Sequence, residues 1–258
     1  LGGLQYIFKV EDKKEFQRTD NFYNAKKGSV DAVIIGASIG YASWQAPFGW
    51  HEYGYTVLPL AVASMSSRYV KYVIQDARQY QPDALYIVYI NNIKSDNVYL
   101  QTLHRLADYM PFSSAKVDMV SNISPYLDIN GAEQAEFYFP IIRFHSAWDT
   151  IGTESYIKKN ERMMSAVHYS GFLNKTSDIS SKYHTSDSLA EMEDFQVEIL
   201  DDLLDYCKSE NVNVLFIYLP QAIKNMSILG RFNAVQEYIQ NEGFPCINLM
   251  EKYEENKE

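Results

Sequence analysis

Cysteine is scarce in this chain: among 258 residues only Cys207 and Cys246 occur. Two thiols are too few for a disulfide framework, and neither has a metal-ligand spacing around it. Cys207 falls in a predicted helix and Cys246 at a predicted strand start, so both read as small buried hydrophobes. Long apolar runs are missing too. None approaches the roughly 18–20 residues of a membrane span, and no basic-then-apolar signal peptide opens the chain. Positive charge is sparse: 23 Lys and Arg stand against 33 Asp and Glu, for a formal net charge of −10, and no basic cluster exceeds a dipeptide. That excludes the electrostatic footprint of a nucleic-acid binder.

Apolar and aromatic residues are plentiful. At 47% apolar the chain can bury one large core, read as a single domain over 1–258 that carries an inserted subdomain. The 21 tyrosines supply amphipathic surface suited to a groove for a sugar or polymer, although half-buried packing accounts for most of them. Val30-Asp31-Ala32-Val33-Ile34-Ile35 is a buried strand that ends abruptly in Gly36-Ala37-Ser38-Ile39-Gly40. A second short strand spans Tyr55–Ala61, and Val70, Val73, Ile74 and Ala77 then recur at helical spacing. Pro82-Asp83 breaks that helix before a third apolar run, Ala84–Ile90, which ends in Asn91-Asn92. Val212–Pro220 is a fourth strand, Phe232, Val235 and Ile239 mark a helix, and Cys246–Met250 is a fifth strand. Such alternation predicts parallel pairing, hence an α/β doubly wound sheet of about five strands.

Between about Asn97 and Thr185 the pattern changes. Helical pieces broken by Pro111, Pro125, Gly131 and Pro140 lead into a polar stretch, Asn174–Ser181, that reads as a loop, so 97–185 is a mainly helical insertion. Ser188-x-x-Glu191 then has the spacing of a capping box opening a long helix, with Met192, Phe195, Ile199, Leu203 and Tyr206 on its core face.

Ser38 lies just past the C-terminal edge of the first strand, where open α/β sheets place their ligands, and its small neighbours allow close backbone approach. That makes it a candidate nucleophile, in need of a general base and of donors aimed at an oxyanion. Ala61 and Asn91 end or follow the next two strands, so a parallel sheet brings all three to one crevice. The N–H groups of Ser38 and Ala61, with the Asn91 amide, would form the oxyanion hole. A competing reading takes the same turn as a dinucleotide-binding one. It requires a charged residue at the end of the second strand and a Tyr-x-x-x-Lys pair deep in the chain. The second strand ends in Pro59-Leu60-Ala61, and the Tyr-x-x-x-Lys pairs, Tyr23 with Lys27 and Tyr253 with Lys257, sit at the two ends. The dinucleotide reading is rejected, and no cofactor is expected.

These blocks resemble the SGNH (GDSL-like) hydrolases, and within them the extracytoplasmic proteins of Gram-positive bacteria. Gly36-Ala37-Ser38-Ile39 matches the family's Gly-Ser-Ser-His type nucleophile block, with Ile in place of His. Leu60-Ala61 sits where the family's oxyanion glycine follows a strand, and Tyr89-Ile90-Asn91-Asn92 falls on its Gly-x-Asn-Asp block. Leu4–Phe8, Asn21-Phe22-Tyr23 and Ile142–Trp148 extend the likeness over nearly the whole chain. The resemblance implies a flavodoxin-like domain acting as a serine esterase or O-acyltransferase on an acyl ester of a cell-envelope polysaccharide or related carrier. It also implies an extracytoplasmic, envelope-associated location, with a membrane anchor upstream of Leu1 as one arrangement. One block departs: the family takes its base from an Asp-x-x-His beyond the fifth strand, and no such motif occurs in this sequence. Either the base lies in a segment beyond Glu258, or the triad is lost and the protein is a non-catalytic binding module for carbohydrate or envelope polymer. The charged stretch Glu251–Glu258, directly after a strand that should be covered on both faces, favours the first.

Further candidates lie in the insertion. His145 and Asp149 are one helical turn apart, and Arg143 and Trp148 flank them, a group suited to holding an anionic or sugar substrate. A histidine joining insertion to core has the same signature. Trp44 and Trp50, with Phe48 between them, could line a sugar cleft or pack under the sheet edge. His104 and Asp108 also sit one turn apart, but two ligands do not make a metal site, and no metal is expected. His51, His168 and His184 have no partner pattern.

Overall fold

β-branched and aromatic runs bounded by Gly, Pro and Asn become strands because both faces of a parallel sheet can be covered by crossover segments. In the computed structural model, which describes residues 13–139, 142, 188–221 and 225–249 with side chains from residue 18, these are β1 (Ala32–Gly36), β2 (Val57–Ala61), β3 (Leu85–Tyr89), β4 (Val214–Tyr218) and β5 (Cys246–Asn248). They form one all-parallel sheet in the order β2-β1-β3-β4-β5. Helix α1 (Lys13–Asn24) precedes the sheet, α2 (Ser38–Ser43) and α3 (Ala46–Tyr53) join β1 to β2, and α4 (Val70–Ala77) joins β2 to β3. After β3 come α5 (Leu100–Ala107), α6 (Ser114–Ile123) and α7 (Gly131–Tyr138). Then α8 (Asp194–Ser209) leads into β4 and α9 (Met226–Asn241) into β5. The expected α/β doubly wound architecture is thus present.

Alternation along each strand sorts side chains onto two faces. Val33 and Ile35 of β1, Val88 of β3 and Phe216 of β4 enter the larger core, which also takes Val73 of α4, Met119 of α6, Leu203 of α8 and Phe232 of α9. Ala32 and Ile34 turn to the opposite face, where they join Val57, Tyr89 and Leu219, with Ile39 and Trp44 packed against them. On this second face Leu85, Ile87 and Ile217 remain half-buried. Cys207 and Cys246 are both buried and unpaired, as small hydrophobes would be.

The helical pieces after β3 break where the sequence punctuates them. Pro111 precedes α6, whose N-cap Ser113 accepts from the Lys116 N–H at 3.1 Å. Pro125 sits in a 3-10 turn, Ser124–Leu127, and Asn130 forms a capping box with Glu133 around Gly131. Pro140, Asn174–Ser181 and most of the 97–185 insertion lie outside the described residues.

One helix start differs from its expectation. The residues Ser188–Glu193 carry no helix, and α8 opens later, on a capping box between Glu193 and Gln196. Tertiary bonds decide this: Ala190 N–H donates to Gly230 O at 3.1 Å, and Asn233 Nδ2 donates to Ser188 O at 3.0 Å. Both hold the segment along α9, so Met192 stands outside the helix, whereas Ile199 and Leu203 face the core as expected.

Candidate functional site

The strand order runs from β1 to β2 on one side and from β1 to β3 on the other, so the C-terminal ends of β1 and β3 flank a topological switch point, the ordinary ligand site of such sheets. Ser38 stands there as the first residue of α2, exposed, and its hydroxyl has no hydrogen-bond partner among the described residues.

Two glycines shape this turn. Gly36 has φ of 156°, and a Cβ there would lie 3.3 Å from Tyr89 Cβ, so a side chain would push β1 away from β3 at the point where the turn begins. Gly40 is packed against the strand ends, where a Cβ would meet Ala61 Cβ, Ile34 Cγ2 and Tyr89 Cδ2 at an ordinary contact distance of 3.4 Å. Behind the turn, Ser43 Oγ donates to Tyr89 Oη at 3.2 Å. Burial pushes the Tyr89 phenol up, and the Ser43 bond opposes this only partly. Tyr89 therefore stays protonated through the neutral range, as a wall of the turn rather than a base.

Ala61 ends β2 opposite Gly36 and is buried, so the register sets it beside the turn that carries Ser38. Asn91 lies beyond β3 in a 3-10 turn, Ile90–Asn92, and is 0% exposed. Its Nδ2 donates to Leu219 O at 2.8 Å, and its Oδ1 accepts from Leu219 N–H at 3.0 Å. The expectation of an open oxyanion donor is corrected here: the Asn91 amide is turned onto the main chain beyond β4, which consumes its oxygen and one of its donors. Asn92, which sequence reasoning passed over, donates from Nδ2 to Met65 O at 2.7 Å. The signal available was an Asn-Asn pair closing a buried strand, since such amides seek main-chain partners.

Of the two readings for Trp44, its surroundings fit packing. Its indole lies against Gly49, where any Cβ would overlap Cζ2, and it packs on the second-face cluster with Nε1 buried and unpartnered. This packing leaves Trp44 half-buried. Phe48 and Trp50, by contrast, are exposed on α3. Arg143, His145 and Trp148 lie outside the described residues, as do His168 and His184. The described histidines have other engagements: His51 pairs with Glu52 at 2.8 Å, and His104 stacks on Phe137 at 4.5 Å with Asp108 3.4 Å from Nδ1. Among the described residues no group of three or more His, Cys, Asp or Glu could hold a metal ion, and no helix is long and apolar enough to cross a membrane.

Several further polar groups are buried away from the turn. Asp76 accepts from Tyr23 Oη and Ser113 Oγ, both at 2.6 Å, and Gln81 Oε1 accepts from the N–H groups of Ser29 and Val30 just ahead of β1. A groove of about 730 Å³ runs between α4, α6 and α8, lined by Lys71, Asp118, Asp202 and Tyr206 among others. Lys71 and Asp202 pair across it at 2.5 Å.

No family model and no curated protein matches the chain. The functional reading therefore rests on the site.

Proposed function

We propose that the crevice at the C-terminal ends of β1 and β3 is a serine-dependent acyl-transfer site, used by an SGNH-like esterase or O-acyltransferase on an acyl ester of a cell-envelope polysaccharide or related carrier. The observation that supports it is Ser38: exposed, its hydroxyl without a hydrogen-bond partner among the described residues, at the switch point of a parallel β2-β1-β3-β4-β5 sheet. In this reading Ser38 Oγ attacks the acyl carbon, and the proton passes to a general base. Negative charge gathers on the carbonyl oxygen, and in this reading the main-chain N–H groups of Ser38 and Ala61 receive it. Collapse of that intermediate expels the alcohol and leaves an acyl-serine. Water or a sugar hydroxyl then completes hydrolysis or transfer. No bound metal or organic cofactor enters any step.

The test is covalent labelling with a fluorophosphonate, followed by mass-spectrometric mapping. Ser38 should carry the adduct, Ser38→Ala should abolish it, and the rate should rise with pH through an inflection in the histidine range, about 6–7. Labelling that is unchanged in Ser38→Ala removes the proposal.

A non-catalytic binding module is the second reading, and the burial of Asn91 favours it, because an amide committed to Leu219 is a poor oxyanion donor. Under that reading the protein retains an envelope polysaccharide without releasing acetate or any other acyl group from it.

A further inference from the structure

The loop that leaves β2 carries three successive carbonyls that all turn toward the segment following β3. Ala63 O accepts from Arg105 Nη1 at 3.4 Å, Ser64 O from Thr102 Oγ1 at 3.4 Å, and Met65 O from Asn92 Nδ2 at 2.7 Å. Such a run of same-sided carbonyls departs from extended chain, and Ser64 accordingly sits at φ 60°, in the left-handed region that a non-glycine residue occupies only when its surroundings hold it there. On the other side, Asn91 grips both main-chain groups of Leu219 at the exit of β4. Two adjacent side chains in the 3-10 turn that follows the central β3 thus reach in opposite directions, one to each neighbouring loop.

This arrangement bears on charge. A carbonyl oxygen facing a developing oxyanion would repel it, and in a water-poor crevice that repulsion is strong. Peptide units are trans throughout the described chain, so each carbonyl drawn toward Asn92, Thr102 or Arg105 sends the N–H of the same peptide unit the other way.

We propose that Asn91 and Asn92 form a two-sided staple that positions the loops leaving β4 and β2 around Ser38, holding the carbonyl oxygens of Leu219 and Met65 away from the reacting atoms. The proposal rests on Ser38 being the nucleophile, and it makes the two asparagines positioning residues rather than catalytic ones.

The test compares wild type with Asn92→Leu and Asn91→Asp by two measurements. In hydrogen exchange, Asn92→Leu should speed peptides covering 62–66 about tenfold and leave 219–221 unchanged, since one buried hydrogen bond is lost. Asn91→Asp keeps the acceptor for Leu219 N–H but not the donor to its carbonyl, so it should have the reverse effect. In saturating fluorophosphonate labelling, both variants should lower the maximal rate of Ser38 modification about tenfold while the half-saturating concentration holds, as expected when transition-state contacts alone are lost. Should Asn92→Leu fail to fold, Asn92→Ser, whose donor is too short to reach Met65 O, carries the same expectations. Faster exchange with an unchanged maximal rate overturns the positioning role and leaves Ser38 as nucleophile. Unchanged exchange overturns the staple. A wild-type protein that is exchange-sensitive as described but not labelled at Ser38 overturns the acyl-transfer reading, and the positioning role with it.

Discussion

The Asp76 carboxylate of α4 and the Tyr23 hydroxyl of α1 meet at 2.6 Å, with Ser113 Oγ on the other carboxylate oxygen at the same distance, so one buried acid ties three helices together. Burial raises its pKa above the usual carboxylate value, and the two hydroxyl bonds and the nearby Lys116 charge oppose that rise without cancelling it.

Because the folded protein binds the Asp76 proton more tightly than the unfolded chain does, this group's contribution to stability is fully present below the unfolded value of about 3.9 and is lost as pH rises through the folded value. Asp76→Asn should therefore flatten the fall in stability over the window above pH 4, measured by urea unfolding at a series of pH values. Asp76→Ala leaves both hydroxyls without their acceptor and should cost roughly 2–3 kcal/mol at neutral pH.

Gly36→Ala tests how tightly the nucleophile turn is built. At φ of 156° and with Tyr89 Cβ 3.3 Å from the added methyl, the substitution should cost about 1–3 kcal/mol, seen as a lower Tm. It should also slow Ser38 labelling, because β1 must move relative to β3.

Arg68 should not be replaceable by lysine. Its guanidinium reaches both oxygens of Asp96 through Nε and Nη2, bonds Glu198 at 3.0 Å through Nη1, and lies 4.3 Å from the Tyr126 ring centroid. A lysine cannot reproduce the fork or the stacking. Arg68→Lys should lose about 1–2 kcal/mol in urea unfolding, whereas Glu198→Gln, on the exposed partner, should lose less than about 1 kcal/mol.

The two thiols should be silent in the native protein. Burial pushes Cys207 and Cys246 both up to about 12. At pH 8 the thiolate fraction is then on the order of one in ten thousand, so a disulfide exchange reagent should titrate neither thiol until denaturant is added, and both afterwards.

The elements most legible in the sequence are those whose burial follows a simple period. β1, β3 and β4 are apolar on both faces, and α4 and α9 show their core residues at helical spacing, so their existence follows from the residues alone. The start of α8 does not, because Ser188-x-x-Glu191 has the local spacing of a cap while Gly230 and Asn233, far along the chain, bond that segment to α9. Position at the sheet edge was equally readable for Ser38, Ala61 and Asn91. Orientation was not: an asparagine after a strand has the same letter whether its amide faces a crevice or grips Leu219. Trp44 likewise depends on the missing Cβ of Gly49, a vacancy that becomes meaningful only once α3 folds back on it.

In the staple, every acceptor except Asn91 Oδ1 is a main-chain oxygen. Ala63, Ser64, Met65 and Leu219 contribute nothing from their side chains to these bonds, so the route of the β2-exit loop is encoded at Asn92, Thr102 and Arg105 instead. Met65 is fixed by its burial in the core, but the exposed Ser64 side chain can change while the carbonyls keep their partners, which leaves the tip of this loop a place where specificity can drift without unsettling the frame beneath it.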